Sequence, residues 1–355
     1  MAEAEDGRRL RAGDGAALHP LHLSATDASS EPGARVDQYD APLFLAWQLT
    51  NRCTASCLAC CEESGPERAW GDELSRDQAL ELAQRVIAAG VSYVAFGGGE
   101  PLGVPHCWEL LELLASHGIA LKLETDGSHI DAAAAERLAR LGPLCVQISV
   151  DGATAGTHHR VRPGSSFSRT LAAIECLVAH GHPPQLVFVP NRLNLGEILA
   201  AYDGARRLGC EAFVTGPMMR IGRAAADWDR LACDALEWDR AVLALNERDQ
   251  ALGGGMRLAI YPWDILTEME RRLESPQAML LVVPNGAVKL LNALPFVVAD
   301  LRRDSLEGAW RAYLAGWRSQ EVRTFVAACR ARPELLRHAN ELWPLTAPPP
   351  AHRNA

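Results

Sequence analysis

No stretch of the sequence approaches 18 consecutive apolar residues, and the opening segment MAEAEDGRRLRAGDG has no apolar core. The first absence excludes a membrane-spanning helix and the second a secretory signal, so a cytoplasmic chain that engages no membrane is expected. An excess of positive charge is missing too. Lys and Arg number 35 against 44 Asp and Glu, a net charge of −9 with an isoelectric point near 5.7. Without a dominant basic patch, a dedicated nucleic-acid binder is excluded. Hydrophobic residues at 48% and charged ones at 22% rule out wholesale disorder. What the chain does have is cysteine, ten in 355 residues. A disulfide framework is not expected in an intracellular chain of this size, so their spacing points to metal.

The pattern of apolar runs sets the fold. Short runs at Leu43–Leu49, Val91–Phe96, Ile119–Glu124, Cys145–Val150, Gln185–Val189 and Ala212–Thr215 alternate with stretches of helical period. Those stretches are Ser75–Ala89, Trp108–Ser116, Asp131–Arg140, Ser166–Ala179 and Leu195–Leu208. Ser75 and Gln78 have capping-box spacing, and Gly90, Gly118, Gly181 and Gly209 fall where helices should stop. Alternating strands and helices mean right-handed βαβ units and an α/β fold with a parallel sheet. A partial (β/α)6 TIM-like barrel is expected over 42–225, a doubly wound sheet being the competing arrangement. Either one puts reactive groups at the C-terminal strand ends. Residues 1–41 read as a polar, mobile leader and 344–355 as a frayed tail. Residues 226–343 read as a small α+β appendage, with a hairpin across Pro284-Asn285-Gly286 and with Trp263 and Trp310 as packing.

The first strand runs directly into a loop with Cys53, Cys57 and Cys60 in C-x3-C-x2-C spacing and Cys61 adjoining. Three thiolates on one loop can hold three irons of a [4Fe–4S] cluster and leave the fourth open. Zinc and chance spacing are the alternatives, although a structural zinc site commonly adds a second cysteine pair, which this sequence lacks. The other strand ends carry Gly97-Gly98-Gly99-Glu100, then Glu124-Thr125-Asp126-Gly127, then Ser149-Val150-Asp151-Gly152. Glycines allow close backbone approach to a ligand, Glu100 offers an acceptor for an ammonium group, and Ser149 with Asp151 suits ribose hydroxyls. Each alone is an ordinary βα turn. Together they line one edge of one sheet.

With these motifs in place, the sequence resembles the radical S-adenosylmethionine enzymes over about residues 42–225. The resemblance implies that Cys53, Cys57 and Cys60 ligate one [4Fe–4S] cluster and that S-adenosylmethionine chelates its open iron. It further implies that Gly98, Gly99 and Glu100 hold the methionyl ammonium, with Thr125 and Asp126 beside them, and that Ser149 and Asp151 contact the ribose or amino acid end. The stretch Thr157–Phe167 resembles a segment of the SPASM/twitch branch, which implies Arg160 or Arg162 near the cofactor carboxylate. Asn191 and the run PMMRIGRA fall where that branch touches the cofactor. Departures are Ala59 for an aromatic residue, Asp126 for Asn and His159 for Asp. In the appendage, Asn292 stands where that branch carries a cysteine and only Cys329 lies downstream, so one cluster and no auxiliary ones are expected.

The implied chemistry is reductive cleavage of the sulfonium to a 5′-deoxyadenosyl radical that abstracts a substrate hydrogen. The implied partners are an electron donor such as flavodoxin or ferredoxin and a peptide or natural-product precursor, the alternative being a tetrapyrrole or cofactor precursor. Residues 1–41 are too short and polar for a leader-binding domain, so a separate leader-peptide-binding protein is expected for a peptide substrate. Substrate-side catalytic candidates are Cys61, Glu62, Glu63, His158 and His159. Their ordinary readings are a spare thiol, a solvated turn and a surface histidine pair. A zinc-stabilised scaffold and a degenerate accessory subunit are the non-enzymatic alternatives.

Overall fold

Serine and aspartate caps start most of the helices of the computed structural model, which describes residues 36–142 and 144–345. The Ser75 side chain accepts from the Gln78 amide while the Gln78 side chain accepts from that of Ser75, so the expected box opens α1 (Arg76–Ala88). Asp131, Thr154 and Ser166 cap α3 (Ala132–Ala139), α4 (Ala155–Val161) and α5 (Phe167–Ala179) in the same way. With α2 (Cys107–Ser116) and α6 (Ile198–Leu208), these helices connect six strands. The strands are β1 (Phe44–Thr50), β2 (Tyr93–Gly98), β3 (Ala120–Thr125), β4 (Leu144–Ser149), β5 (Gln185–Phe188) and β6 (Ala212–Thr215). All pair in parallel, each with its sequence neighbour. A doubly wound sheet reverses its strand order at a switch point. This one does not, and the architecture is the partial barrel.

The sheet continues past those six strands. At one end β7 (Arg257–Ile260) adds in parallel to β6, with Ala212 beside Arg257. At the other, β8 (Met279–Val282) adds in parallel to β1, with Phe44 beside Met279. Antiparallel β9 (Ala287–Lys289) and β10 (Phe296–Asp300) follow, then β11 (Trp343–Pro344) parallel to β10. The segment expected to form a self-contained appendage, 226–343, therefore shares its sheet with the barrel and extends both of its ends. Four-residue strands such as RLAI and MLLV carry no local sign of where they dock. The turn at Pro284-Asn285-Gly286 does join β8 to β9, the Val283 amide donating to Ala287 O at 2.9 Å. Pro344, assigned by sequence to the tail, is part of β11. Residues 1–35 and 346–355, where the leader and most of the tail were expected, lie outside the described residues. Val36–Ala41 is held by α11 (Leu306–Trp317), whose Trp310 indole donates to Tyr39 O at 2.8 Å.

The two faces of the sheet differ in chemistry. Leu45, Trp47, Phe96, Leu121, Leu123, Ile148 and Phe188 lie on the face that the helices cover and are buried there. On the other face, register aligns Gln48 with Gly97, Lys122 with Cys145, Glu124 with Gln147 and Gln147 with Gln185. Lys122 Nζ pairs with Glu124 Oε1 at 2.6 Å, and Gln147 Nε2 donates to Gln185 Oε1 at 2.8 Å. A closed barrel fills this interior with branched apolar side chains. Here it is polar, lined for something that makes hydrogen bonds.

Because β8 is bonded to β1, both parts of the chain should unfold together. Leu280, fully buried on β8, tests this: Leu280→Ala should lower stability by about 2–5 kcal/mol. Urea unfolding followed by tryptophan fluorescence and circular dichroism should give one coincident transition at a lower midpoint, whereas two separated transitions would contradict the shared sheet.

Candidate active site

The cysteine loop leaves β1 at Thr50 and has no regular structure, so its shape comes from what it is bonded to. Its ends are closed by the Cys53 amide donating to Gly65 O at 3.0 Å and the Gly65 amide to Asn51 O at 3.3 Å. Its middle is bonded to the segment after α4: Ser56 N donates to Pro163 O and Leu58 N to Val161 O, both at 2.8 Å. Ser64 N donates to Cys60 Sγ at 3.3 Å, a hydrogen bond to sulfur itself. From beyond β6, Arg223 sends Nε to Cys57 O at 2.6 Å and Nη2 to Ser64 O at 2.7 Å. Two glycines permit this crowding. A Cβ on Gly99 would stand 2.0 Å from Arg52 O, and one on Gly222, whose φ is +55°, would stand 2.4 Å from the carbonyl oxygens of both Cys60 and Cys61.

Cys53, Cys57, Cys60 and Cys61 are all free and half-buried. Burial pushes the Cys53 thiol up to about 12 and raises Cys57, with Arg162 pulling the latter back. Such thiols stay protonated until a metal takes the proton's place. Among the described residues, no three His, Cys, Asp or Glu side chains are gathered closely enough to share one metal ion. Thiols spread along one loop suit a polynuclear cluster, in which each binds its own iron, better than a single tetrahedral zinc. The donor set therefore fits a [4Fe–4S] cluster with one iron left open.

The GGE segment is braced from within. Glu100 is 2% exposed. Its carboxylate accepts from Thr125 Oγ1 at 2.8 and 2.9 Å, from Asp126 N at 2.9 Å and from Leu102 N at 3.2 Å, which fixes the end of β3. Burial, then the neighbouring Asp126, lifts the Glu100 carboxyl to about 8. Asp126 lies low despite burial, because Ser128 and Thr54 donate to it. The Thr54 hydroxyl bond ties the cysteine loop to β3.

At the end of β4, Asp151 is equally engaged. Its Oδ1 accepts from Val189 N at 2.8 Å and its Oδ2 from Arg162 Nη1 at 2.9 Å. Its carboxylate is the anchor of a buried ion pair. Ser149 faces the polar interior beside Val187. The two arginine candidates separate. Arg162 turns in toward the cysteine loop, whereas Arg160 is exposed and donates to Thr157 Oγ1 at 3.0 Å and Leu193 O at 3.3 Å. Asn191, fully buried, shapes its own loop by accepting from Leu193 N at 2.9 Å.

The histidine pair is split between interior and surface, His158 being buried and His159 exposed. His158 lies on α4 with no exposure, and its Nδ1 accepts from Asp151 N at 3.3 Å. Burial, with Arg162 and His159 nearby, drops it to about 3, so it stays neutral. His159 accepts from Phe167 N at 3.2 Å and joins α4 to α5. Neither faces the polar interior. Glu63, at φ +54°, and Cys61 O are both held by Asn340 Nδ2 at 3.0 and 2.8 Å. Glu62 has a raised pKa from burial, offset by Lys289 and Gln48. Lys289 on β9 is 2% exposed, donates to Ala339 O at 2.6 Å and is lowered by burial to about 8.

Lys289, Gln48, Thr54, Asn340, Gly222 and Arg223 all bear on the site and were not individually legible. Only the last two lay in a stretch singled out by resemblance. The others become neighbours through the shared sheet.

Glu100 offers a pH test. Its folded pKa is raised, so the folded state binds the extra proton and loses stability as pH rises from the free carboxyl value near 4.5 to about 8. Urea midpoints of the metal-free protein should show wild type losing stability relative to Glu100→Gln by up to about 1.4 kcal/mol per pH unit across that window. A difference that does not change with pH would show that Glu100 is ionised throughout.

Comparison with known proteins places this geometry. The radical SAM superfamily profile matches residues 47–216. The mycofactocin maturase MftC of Mycobacterium ulcerans is 36% identical over 193 residues, 54% of this chain and 52% of that protein. The AdoMet-dependent heme synthase of Methanosarcina barkeri is 32% identical over 201 residues, 54% of this chain and 57% of that protein. The chain thus spans about half the length of the curated relatives it matches. The crystal structure of Streptococcus suis SuiB bound to S-adenosylmethionine shares the fold with a TM-score of 0.64 at 14% identity, covering 84% of this chain and 72% of that one. With a cysteine loop at the C-terminal edge of a partial parallel barrel and a matching sequence profile over that same barrel, residues 47–216 of the chain are a radical SAM superfamily domain.

Proposed function

We propose that this chain cleaves S-adenosylmethionine reductively at a single [4Fe–4S] cluster held by Cys53, Cys57 and Cys60, and that it modifies a ribosomally made peptide. The observation that carries the reading is the cysteine loop itself, three thiols on one strand-end loop locked by Gly99, Gly222 and Arg223. When bound and reduced by the electron donor, the cluster would supply one electron to the sulfonium of S-adenosylmethionine, whose C5′–S bond would break to give methionine and a 5′-deoxyadenosyl radical able to take a hydrogen from the substrate. The chain's own residues hold and shield. Gly97–Gly99 present backbone to the cofactor's amino acid end, Thr125 and Asp126 keep that edge rigid through Glu100, and Ser149 opens on the interior. Covering segments around Asn340 and Lys289 limit access of water to the loop.

The substrate class rests on two supports. MftC is by name a maturase, and SuiB has been solved bound to its precursor peptide SuiA. The heme synthase relative favours a tetrapyrrole as a second reading. The cations near the cysteine loop are already engaged: Lys122 is paired to Glu124, Lys289 faces Glu62, Arg162 is paired to Asp151 and Arg223 donates to Cys57 O and Ser64 O. A substrate rich in propionates would find each of them matched, while a peptide finds hydrogen-bonding partners. One cluster is proposed because Asn292 donates to Met219 Sδ at 3.8 Å and Cys329 is buried in α12 (Gln320–Ala331). An electron donor such as flavodoxin or ferredoxin and a separate leader-binding protein are the proposed partners. No helix among the described residues is long and apolar enough to cross a membrane.

The test is anaerobic reconstitution followed by S-adenosylmethionine and dithionite. About four irons per chain and 5′-deoxyadenosine are expected, with Cys57→Ala losing both. Zinc in place of iron would refute the proposal, about eight irons would refute the single cluster, and iron without 5′-deoxyadenosine would favour an accessory role.

A further inference from the structure

The bonds Ser56 N to Pro163 O and Leu58 N to Val161 O have a geometric consequence. They run antiparallel and bracket one pair of residues, Cys57 and Arg162. Val161 closes α4, so this is a contact between the loop and a helix end, and the two bonds hold the Cys57 and Arg162 backbones side by side.

The guanidinium is only partly used. Nη1 donates to Asp151 Oδ2 at 2.9 Å, with side-chain exposures of 12% for Arg162 and 4% for Asp151. Its Nε is buried without a hydrogen-bond partner among the described residues. A buried charged donor left unpaired is costly. Asp151 in turn is fixed by Val189 N, and its amide is received by His158. The cation is thus clamped through Nη1, while its buried Nε–H has no partner among the described residues. Charge coupling between Arg162 and Cys57 appears in the shifts of both groups.

We propose that Arg162 is a positioning residue for the cluster's redox potential, its charge and spare Nε–H directed at Cys57 Sγ. This rests on the cluster assignment above, and departs from the expectation that the arginine of this segment meets the cofactor carboxylate. A hydrogen bond and a positive charge at a ligating sulfur stabilise the more negative, reduced cluster and raise its potential. Asp151, holding the same guanidinium, sets how much of that charge the cluster feels.

The experiment is a redox titration followed by electron paramagnetic resonance on anaerobically reconstituted wild type, Arg162→Gln, Arg162→Lys and Asp151→Asn, first without S-adenosylmethionine. Arg162→Gln should cut the reduced-to-oxidised ratio at fixed potential tenfold or more, equivalent to about 59 mV for one electron. Arg162→Lys, which keeps the charge but not the Nε–H, should fall between it and wild type. Asp151→Asn should shift the ratio upward, because it leaves the cation less neutralised. S-adenosylmethionine affinity of Arg162→Gln should stay within twofold. An unmoved potential with weakened S-adenosylmethionine binding would overturn the proposal in favour of carboxylate recognition, as would Asp151→Asn shifting in the same direction as Arg162→Gln. If Arg162→Gln does not fold, the opposed signs of Arg162→Lys and Asp151→Asn decide the matter. Wild-type protein that takes up no iron sinks the cluster assignment, whereas normal iron with unmoved potentials sinks only the role of Arg162.

Discussion

The loop from Asn51 to Gly65 contains no helix and no strand beyond one bridge between Arg52 and Gly65. Left alone it would not place three thiols anywhere in particular, since ordering each residue costs about 1–2 kcal/mol of backbone entropy. Its shape is imposed from outside, by hydrogen bonds from residues 161–163, by Arg223, by Asn340 and by Gly99 N donating to Thr50 O at 2.7 Å. Those contacts come from the ends of β2, α4 and β6 and from the segment before β11. A site for a reactive cluster thus exists only when nearly the whole sheet has formed, which couples the chemistry to the global fold.

Buried charge around the loop is organised in pairs that leave little unsatisfied. Glu100 and Asp126 sit close enough that one carboxyl is raised while the other stays low, as expected when like charges share a site. Arg162 and Asp151 neutralise each other, and Lys289 offsets Glu62. The acidic residues named by motif at the strand ends therefore act mainly on the protein's own groups. Glu100 receives Thr125 and the amides of Asp126 and Leu102, and Asp151 receives Arg162 and the Val189 amide. Strand-end carboxylates here make the edge rigid.

The barrel was legible because its six strands and their helices each bury one apolar face, and that periodicity survives in the sequence. Boundaries moved by one to three residues. Strands β10 and β11, helix α4 and the helices Arg223–Ala226, Trp228–Leu231 and Ile265–Glu274 were not anticipated. Helix α4 hid in the segment around His158, where polar and basic residues obscure the buried face of Thr157, His158 and Val161. Within the site, the cysteines announced themselves by spacing alone. Arg223 and Asn340 did not, because an arginine or asparagine that receives no local signal reads as surface. Their partners lie 166 and 279 residues away in the chain.

The extension of the sheet by β8 and β9 bears on how the interior can be polar. Strand β8 lies against β1, and Lys289 on β9 reaches Ala339 O and Asn292 O. A lysine buried to this degree is retained only if its ammonium is bonded and faces opposite charge, and here its carbonyl partners belong to the covering segment while its counter-charge, Glu62, follows the cysteines directly. The cover is therefore tied to the cysteine loop by polar contacts and not by apolar packing alone. The sheet extension and the cysteine loop thus depend on one another, because removing either partner of the Lys289–Glu62 pair leaves a buried charge uncompensated.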